Sequence, residues 1–164
     1  MAGKTGRPEP PGTVAGDLKQ TRPFPSKAEE AGVGLMLTAD VVRRHVEALI
    51  KPFGITLQQY NVLRILRGSR PDSLPTLDIA ARMIEKSPGV TRLLDRLEKK
   101  GLVTRERCAA DRRQVLCRVT EKGLKLLDTL EGPVGKAIAP FNTLPQKDLE
   151  RLIHLLNAVR GAHP

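Results

Sequence analysis

The chain has 164 residues, enough for one domain with appendages, and its two cysteines and three scattered histidines predict neither a disulfide framework nor a metal site or cofactor. The net charge of +10 favours a polyanionic partner, and an aromatic content of 2% argues against stacking on single-stranded nucleic acid, so duplex DNA remains. The longest apolar run, residues 33–37, is far below the roughly 20 residues of a membrane span, and the N-terminus lacks the apolar core of a secretory signal, so we expect a soluble cytoplasmic protein.

The N-terminal 25 residues contain five prolines and four glycines with no apolar period. This composition cannot bury enough surface to offset the entropy of ordering the chain, and it predicts a disordered, mildly basic tail. From about Ser26 to Ile50 the pattern becomes helical. The sequence "KPFG", residues 51–54, ends this long first helix.

Two shorter helices are expected next. Thr56 and Gln59 have the spacing of a capping box, which predicts a helix from Leu57 to about Arg67. The turn formers of "GSRPDSLP", residues 68–75, follow. Thr76 is then expected to cap a short helix. The buried face of that helix would consist of four apolar residues: Ile79, Ala80, Met83 and Ile84.

The third helix of this group has the clearest pattern in the chain. Ser87 is the expected N-cap, and Pro88 would occupy the first helical position, where its missing N–H costs nothing. Gly101 closes the helix. Its apolar residues recur at i, i+3, i+4 and i+7: Val90, Leu93, Leu94 and Leu97.

A β-hairpin and two further helices complete the pattern. The runs "LVTRERC" and "QVLCRVT" read as strands on either side of "AADRR". Thr120 can cap the following helix, which Gly132 and Pro133 are expected to kink or break. A last helix opens at Pro145. Its stripe comprises Leu149, Leu152, Ile153, Leu156 and Val159.

The helix pair ending at Gly101 predicts a helix-turn-helix, which places its second helix in the major groove of DNA. Arg92 is the best candidate for a base contact, because its guanidinium group can form two hydrogen bonds with O6 and N7 of guanine. Arg96 and Lys86 would bind phosphates. The small residues Ser87, Pro88 and Gly89 would allow close approach at the helix tip. Opposite the apolar stripe, the solvent face comprises Thr91, Arg92, Asp95, Arg96 and Lys99.

Charges opposite an apolar stripe are also what any solvated surface helix shows, and alone that reading would be preferred. The hairpin favours DNA binding over an ordinary surface helix, because a basic arm beside a groove-reading helix can enter the minor groove. Its arginines are Arg105, Arg107, Arg112 and Arg113. We expect Asp111 to pair with one neighbouring guanidinium and orient the turn. Arg113 is the first choice for the minor-groove contact, and Arg112 the second.

The run "KSPGVTRLLDRLEKKGLVTRERCAADRRQVLCRVTEKG", Lys86–Gly123, resembles the winged helix-turn-helix of MarR-family transcriptional regulators in its "DRLEKKGLV" and "DRR" elements. With flanking helices the resemblance covers about Ser26 to Val159. It implies a mainly α fold with a small β-hairpin wing, flanked by N- and C-terminal dimerisation helices. The implied organisation is a tail at 1–25, an N-terminal dimerisation helix region at 26–55, a winged helix-turn-helix at 56–120 and C-terminal dimerisation helices at 121–164.

The resemblance also implies a function. It predicts a homodimer that binds a palindromic operator in double-stranded DNA, acts as a repressor and is released by a small aromatic or anionic effector. The surplus apolar faces of the first and last helices agree with a partner chain, although packing within one protomer would also cover them. Candidate effector-pocket residues are His45, Phe53, Tyr60 and Arg64, and no ligand is assigned.

Alternatives remain at two points. Cys108 and Cys117 could be cross-strand neighbours and form a disulfide, although reduced thiols packed as small apolar groups are the expected state. The winged helix could instead be a protein–protein interaction module whose charge serves solubility. An enzyme is not expected, because no residue spacing suggests an activated nucleophile, metal chemistry or a phosphate loop.

Overall fold

The computed structural model describes residues 12–85 and 89–162. The chain divides into two compact units, residues 1–45 and 46–164. Within the described residues, no helix is both long enough and apolar enough to cross a membrane. The mainly helical fold with a small sheet that the sequence predicts is confirmed.

The N-terminal unit contains a short helix where the composition predicts none. Helix α1, Val14–Asp17, begins after Thr13, whose hydroxyl accepts the Gly16 N–H at 3.1 Å, and the Asp17 carboxylate accepts the Gly12 N–H at 3.0 Å. The prediction of a wholly disordered tail is therefore wrong at α1, because side chains satisfy the backbone donors at its start. Residues 1–11 lie outside the described part of the chain.

The long first helix is confirmed as α2, Lys27–Ile50. The Ser26 hydroxyl accepts the Glu29 N–H at 3.1 Å and supports the start of this helix. A single turn of 3-10 helix, Lys51–Phe53, follows, and Gly54 then takes a left-handed conformation with φ of 69°. Glycine adopts this backbone region without a steric penalty, so the chain can turn sharply here.

The capping box of the next helix is confirmed. Helix α3, Leu57–Arg67, begins with reciprocal bonds: the Thr56 hydroxyl accepts the Gln59 N–H at 3.2 Å, and the Gln59 side chain accepts the Thr56 N–H at 3.1 Å. Gln59 is only 2% exposed, so both bonds hold a buried helix start. The core side of α3 consists of Tyr60, Val62, Leu63 and Leu66.

The next helix differs from its prediction at both ends. Helix α4, Thr76–Arg82, has Pro75 at its N-cap, and the Thr76 hydroxyl donates to the Val115 carbonyl at 3.3 Å instead of capping. The predicted cap is wrong because a neighbouring strand takes that hydroxyl. Met83 leaves the helix in an extended conformation and is buried, whereas Ile84 is 84% exposed. Ile84 is therefore not part of the buried face.

A three-stranded antiparallel sheet includes the predicted hairpin. Strands β1, Leu74–Pro75, β2, Val103–Arg107, and β3, Val115–Val119, are ordered β1-β3-β2. The hairpin of β2 and β3 is confirmed, whereas β1 lies in a segment for which turn formers predicted a loop. Two residues are too few to produce a period-two pattern, and their pairing with β3 depends on distant residues.

The C-terminal helices largely follow their patterns. Helix α6, Glu121–Ala137, begins with the Thr120 cap, whose hydroxyl accepts the Gly123 N–H at 3.1 Å. It continues through Pro133, so the expected break is wrong, and the kink expected as its alternative stays a prediction. A short 3-10 helix, Ala139–Thr143, separates it from α7, Gln146–Gly161, which begins after Pro145 as predicted. No residue of α7 is buried.

The core of the second unit lies among α3, α4, α5, α6 and the sheet, where α5 is the helix Val90–Lys99. Its largest fully buried side chains include Leu63, Leu66, Ile79, Leu94, Leu97, Leu127 and Leu130. Burial of these residues fixes α5 against the rest of the unit. The opposite face of α5 is therefore held outward.

Candidate nucleic-acid interface

Helix α5 is the base of the candidate interface. Gly89 is its N-cap residue with φ of 138°, so the helix begins at Val90 and not at Pro88 as predicted. The buried apolar residues confirm the stripe, with Leu93 partly buried. The predicted DNA-facing side chains that the structure describes on this helix are exposed: Thr91, Arg92 and Arg96. Lys86, Ser87 and Pro88 lie outside the described residues.

Arg105 on β2 connects the hairpin to α5. Its guanidinium Nη2 lies 2.6 Å from Asp95 Oδ1 and 2.7 Å from Glu98 Oε2, and Nε donates to the same Glu98 oxygen at 2.9 Å. The hydrogen bond to Glu98, followed by that to Asp95, raises the pKa of Arg105 although partial burial opposes the shift. Charge-assisted bonds to two carboxylates hold β2 in a fixed position on α5.

The sequence interpretation of Arg105 is therefore wrong. Its side chain is 22% exposed and faces α5, so it does not extend the basic surface of the hairpin. Residues of β2 alternate between faces, and Arg105 shares the α5 face with buried Val103. Strand alternation together with two carboxylates on the preceding helix was the available signal for this contact.

Asp111 orients the wing turn through the backbone. One carboxylate oxygen accepts the Arg113 N–H at 3.0 Å, and the other accepts the Gln114 side-chain amide at 3.1 Å. The expected ion pair between Asp111 and a neighbouring guanidinium is wrong: among the described residues, the Asp111 carboxylate bonds to a backbone N–H and a side-chain amide instead. The arrangement is an Asx-type turn. The side chains of Arg112 and Arg113 are exposed.

The two cysteines do not face each other across the hairpin. Cys117 is paired in register with Arg105, whereas the Cys108 N–H donates to the Gln114 carbonyl at 3.0 Å. Three residues of strand separate Cys108 from the position opposite Cys117, about 10 Å, and a disulfide needs Cα atoms within about 7 Å. The cross-strand hypothesis is wrong. Both cysteines are free, and burial raises the pKa of the Cys117 thiol.

The four candidate effector residues have different environments. His45 on α2 and Phe53 are exposed. Tyr60 is buried in α3, and the Arg64 guanidinium carbon lies 5.9 Å from the centre of its ring, a cation–π distance. Tyr60 and Arg64 are thus brought together by their helical spacing. The effector pocket itself stays a prediction.

A cavity of about 320 Å³ lies beside α5 and has a different lining: Gly54, Thr56, Gln59, Arg96, Lys99 and Lys100. None of the four predicted effector residues borders it. Within residues 12–85 and 89–162, no three histidine, cysteine or acidic side chains form a group that could hold a metal ion.

Comparison with known proteins agrees with this architecture. Residues 55–115 match the model of the MarR family. A MarR transcription factor from Planctomyces limnophilus is 39% identical, with 83% of this chain and 99% of that chain covered and a TM-score of 0.63.

Two further solved structures carry ligands. Sco3205, a MarR family transcriptional regulator from Streptomyces coelicolor solved in complex with DNA, is 25% identical over 87% of this chain and 93% of that chain, with a TM-score of 0.74. CouR from Rhodococcus jostii RHA1, solved bound to p-coumaroyl-CoA, is 26% identical over 83% and 95%, with a TM-score of 0.71. The chain belongs to the MarR family of transcriptional regulators.

Proposed function

We propose that this regulator binds a palindromic operator in double-stranded DNA as a homodimer and represses transcription until a small effector releases it. The observation that carries the proposal is the Arg105 connection, which makes α5 and the wing one surface with cations on its outer side. A groove-reading helix and a basic wing held at a fixed spacing can contact adjacent grooves together.

Roles for the individual residues follow from this docking mode. Arg92 reads a base in the major groove, Arg96 holds a phosphate, and Arg113, with Arg112 beside it, enters the minor groove. Thr91 and Gly89 lie at the start of α5, where close approach to DNA is possible. Lys86, Ser87 and Pro88, which lie outside the described residues, are proposed as further DNA contacts. Asp111 fixes the direction of the wing through its bonds to the turn.

Dimer formation is supported by apolar surface that the second unit leaves uncovered. Ile153, Leu155 and Val159 of α7 are each more than half exposed. Apolar groups exposed along one helix favour association with another chain. The solved DNA complex of Sco3205 supports the DNA partner, and family membership supports regulation, in the cytoplasm where the DNA lies, over catalysis.

The proposed effector is a small aromatic or anionic molecule. CouR was solved with p-coumaroyl-CoA, a molecule that has both an aromatic group and anionic groups. Tyr60 and Arg64 offer matching chemistry, an aromatic ring and an adjacent guanidinium. Screening metabolites for release of bound operator identifies the ligand. If the metabolite still releases operator DNA from the Arg64→Ala variant, the effector does not bind at Tyr60 and Arg64.

The decisive experiment compares two arginines on selected DNA. Duplexes bound by the wild type are first selected from genomic fragments, and affinities are then measured by fluorescence anisotropy. We expect Arg92→Ala to relax preference at one operator position by about 1–3 kcal/mol. Arg113→Ala should weaken binding across sequences and lower the salt dependence. Lys125→Ala, an exposed change on α6, is the control.

Two results would contradict the proposal. If the wild-type protein binds no duplex at low salt, the result favours a protein–protein interaction module instead. Wild type that binds DNA while both arginine variants match Lys125→Ala would show that another surface of the protein contacts the DNA.

A further inference from the structure

The exposed face of α5 carries both acidic and basic side chains. Asp95 and Glu98 both contact Arg105 and therefore lie on the side of β2. Successive residues of a helix are rotated by about 100°, which places Arg96 and Lys100 away from that side, with Lys99 between Asp95 and Arg96. Lys99 is one helical turn from Asp95, whose carboxylate contacts Arg105, and Arg96 and Lys100 lie further round the helix.

Arg96, Lys99 and Lys100 line one side of the cavity of about 320 Å³, and Gly54, Thr56 and Gln59 line the other. Its volume is at the lower end of the range for small-molecule sites, about 300–1,000 Å³. Three of its six lining residues are cations and none is acidic. The Lys100 ammonium donates to the Gly54 carbonyl and ties the two walls together.

The inner part of the cavity is firmly held. Gln59 is buried and exchanges hydrogen bonds of 3.1 and 3.2 Å with Thr56, so this wall is built on a capped helix start. The side chains of Arg96 and Lys99 are exposed and reach solvent at the mouth. A surface groove lined by cations concentrates positive potential and favours an anion.

We propose that this cleft, lined by Arg96, Lys99 and Lys100, binds a phosphate-class oxyanion. Arginine presents a planar fork to such a group, and lysine supplies a compact point charge. The phosphate can belong to the DNA backbone or to a free phosphate-bearing molecule. Only the first source rests on the proposed function. The contact is separate from the α5 tip and from the wing turn.

The first arm of the test uses the full chain without DNA. Inorganic phosphate is titrated at constant ionic strength while the amide NMR signals of Gly54 and Gly101 are followed. We expect a saturable shift in the wild type and in Lys99→Arg, and binding about tenfold weaker in Lys99→Gln, since a hydrogen bond to a charged group is lost. Lys125→Gln, which removes the same charge from α6, should leave the titration unchanged.

The second arm measures affinity for the selected duplex at several salt concentrations. If the DNA backbone supplies the phosphate, Lys99→Gln lowers the slope of log affinity against log salt by about 0.9, and Lys125→Gln does not. Lys99 is exposed, so the melting temperatures of all variants should agree. A selective effect of Lys99→Gln in either arm supports the site, and the arm identifies the source.

The outcomes separate the two proposals. Identical behaviour of Lys99→Gln and Lys125→Gln in both arms overturns the oxyanion site, even if the wild type binds DNA normally. A positive phosphate arm in a protein that binds no duplex keeps the site and contradicts the DNA-binding function.

Discussion

Arg105 shows at the residue scale how one side chain can serve the interface without touching its ligand. It lies on the hairpin, but its three short contacts all go to α5. These contacts hold β2 against α5 and pair two carboxylates of α5 with one guanidinium. Arg105 is therefore a positioning residue, whereas Arg92 and Arg113 are exposed for contact.

Replacing Arg105 by glutamine should lower the free energy of unfolding by about 1–2 kcal/mol, because hydrogen bonds to two carboxylates are lost from a partly exposed site. It should also weaken operator binding. Urea denaturation and anisotropy measure the two effects. Arg107→Gln, two residues further along β2 and exposed, is the matched control for stability, and equal destabilisation by both changes would contradict the role of Arg105.

The two thiols should react very differently in the native protein. Cys117 is fully buried and its pKa is raised by burial, so little thiolate forms, whereas Cys108 is partly exposed. We expect iodoacetamide at mildly alkaline pH to label Cys108 alone, and both cysteines in urea, as read by mass spectrometry. A Cys108–Cys117 disulfide formed under mild oxidation would contradict the observed register.

At the element scale, the start of α6 depends on close approach to the chain between α5 and β2. Thr120 caps the helix and also donates its hydroxyl to the Gly101 carbonyl at 2.8 Å. Gly123 lies so close to the sheet corner that an added Cβ would be 2.5 Å from the Leu102 carbonyl oxygen. A side chain larger than that of glycine does not fit at this backbone contact, which holds α6 beside the hairpin.

Gly123→Ala should therefore destabilise the fold by about 1–3 kcal/mol, the usual cost of overpacking. Gly135→Ala offers a control in the same helix, because an added Cβ there meets nothing within 4 Å. It should be neutral or slightly stabilising, since alanine favours the helix. Thermal unfolding measures the stability of both variants. If Gly123→Ala is as stable as the wild type, the backbone at Leu102 can move to make room for the added Cβ.

At the scale of the whole molecule, α7 is the element that the second unit does not cover. Every one of its residues retains some exposure, although its sequence has an apolar stripe. A stripe of that kind is stable in water only where another surface buries it. This helix is therefore the main support for the proposed homodimer.

Ile153→Asp should shift the protein towards monomers, because a charge in an apolar contact loses its hydration. Sedimentation velocity measures the change, and operator affinity should fall with it. Lys147→Asp, another exposed position of α7, is the control. A dimer unaffected by Ile153→Asp would place the contact on another helix.

Local patterns predicted the elements well. The Thr56–Gln59 box, the stripe of α5, the hairpin and the Thr120 cap are all formed by residues within a few positions of one another, so the sequence alone identifies them. The motif from Lys86 to Gly123 predicted the family for the same reason. Where a residue distant in the chain makes the contact, the predictions were wrong. Thr76 is an example, because its hydroxyl donates to the Val115 carbonyl.

The sequence by itself determined the helices after α1, the hairpin, the excess of positive charge and the exposed arginines of α5 and the wing. Only the tertiary structure decided which charged side chains form ion pairs and which line the cleft. It paired Arg105 with Asp95 and Glu98, set Cys117 opposite Arg105, and gathered the cations of the cleft beside α3. Spacing along the chain governs helix caps and stripes, whereas ion pairs and clefts depend on distances that exist only after the core has packed.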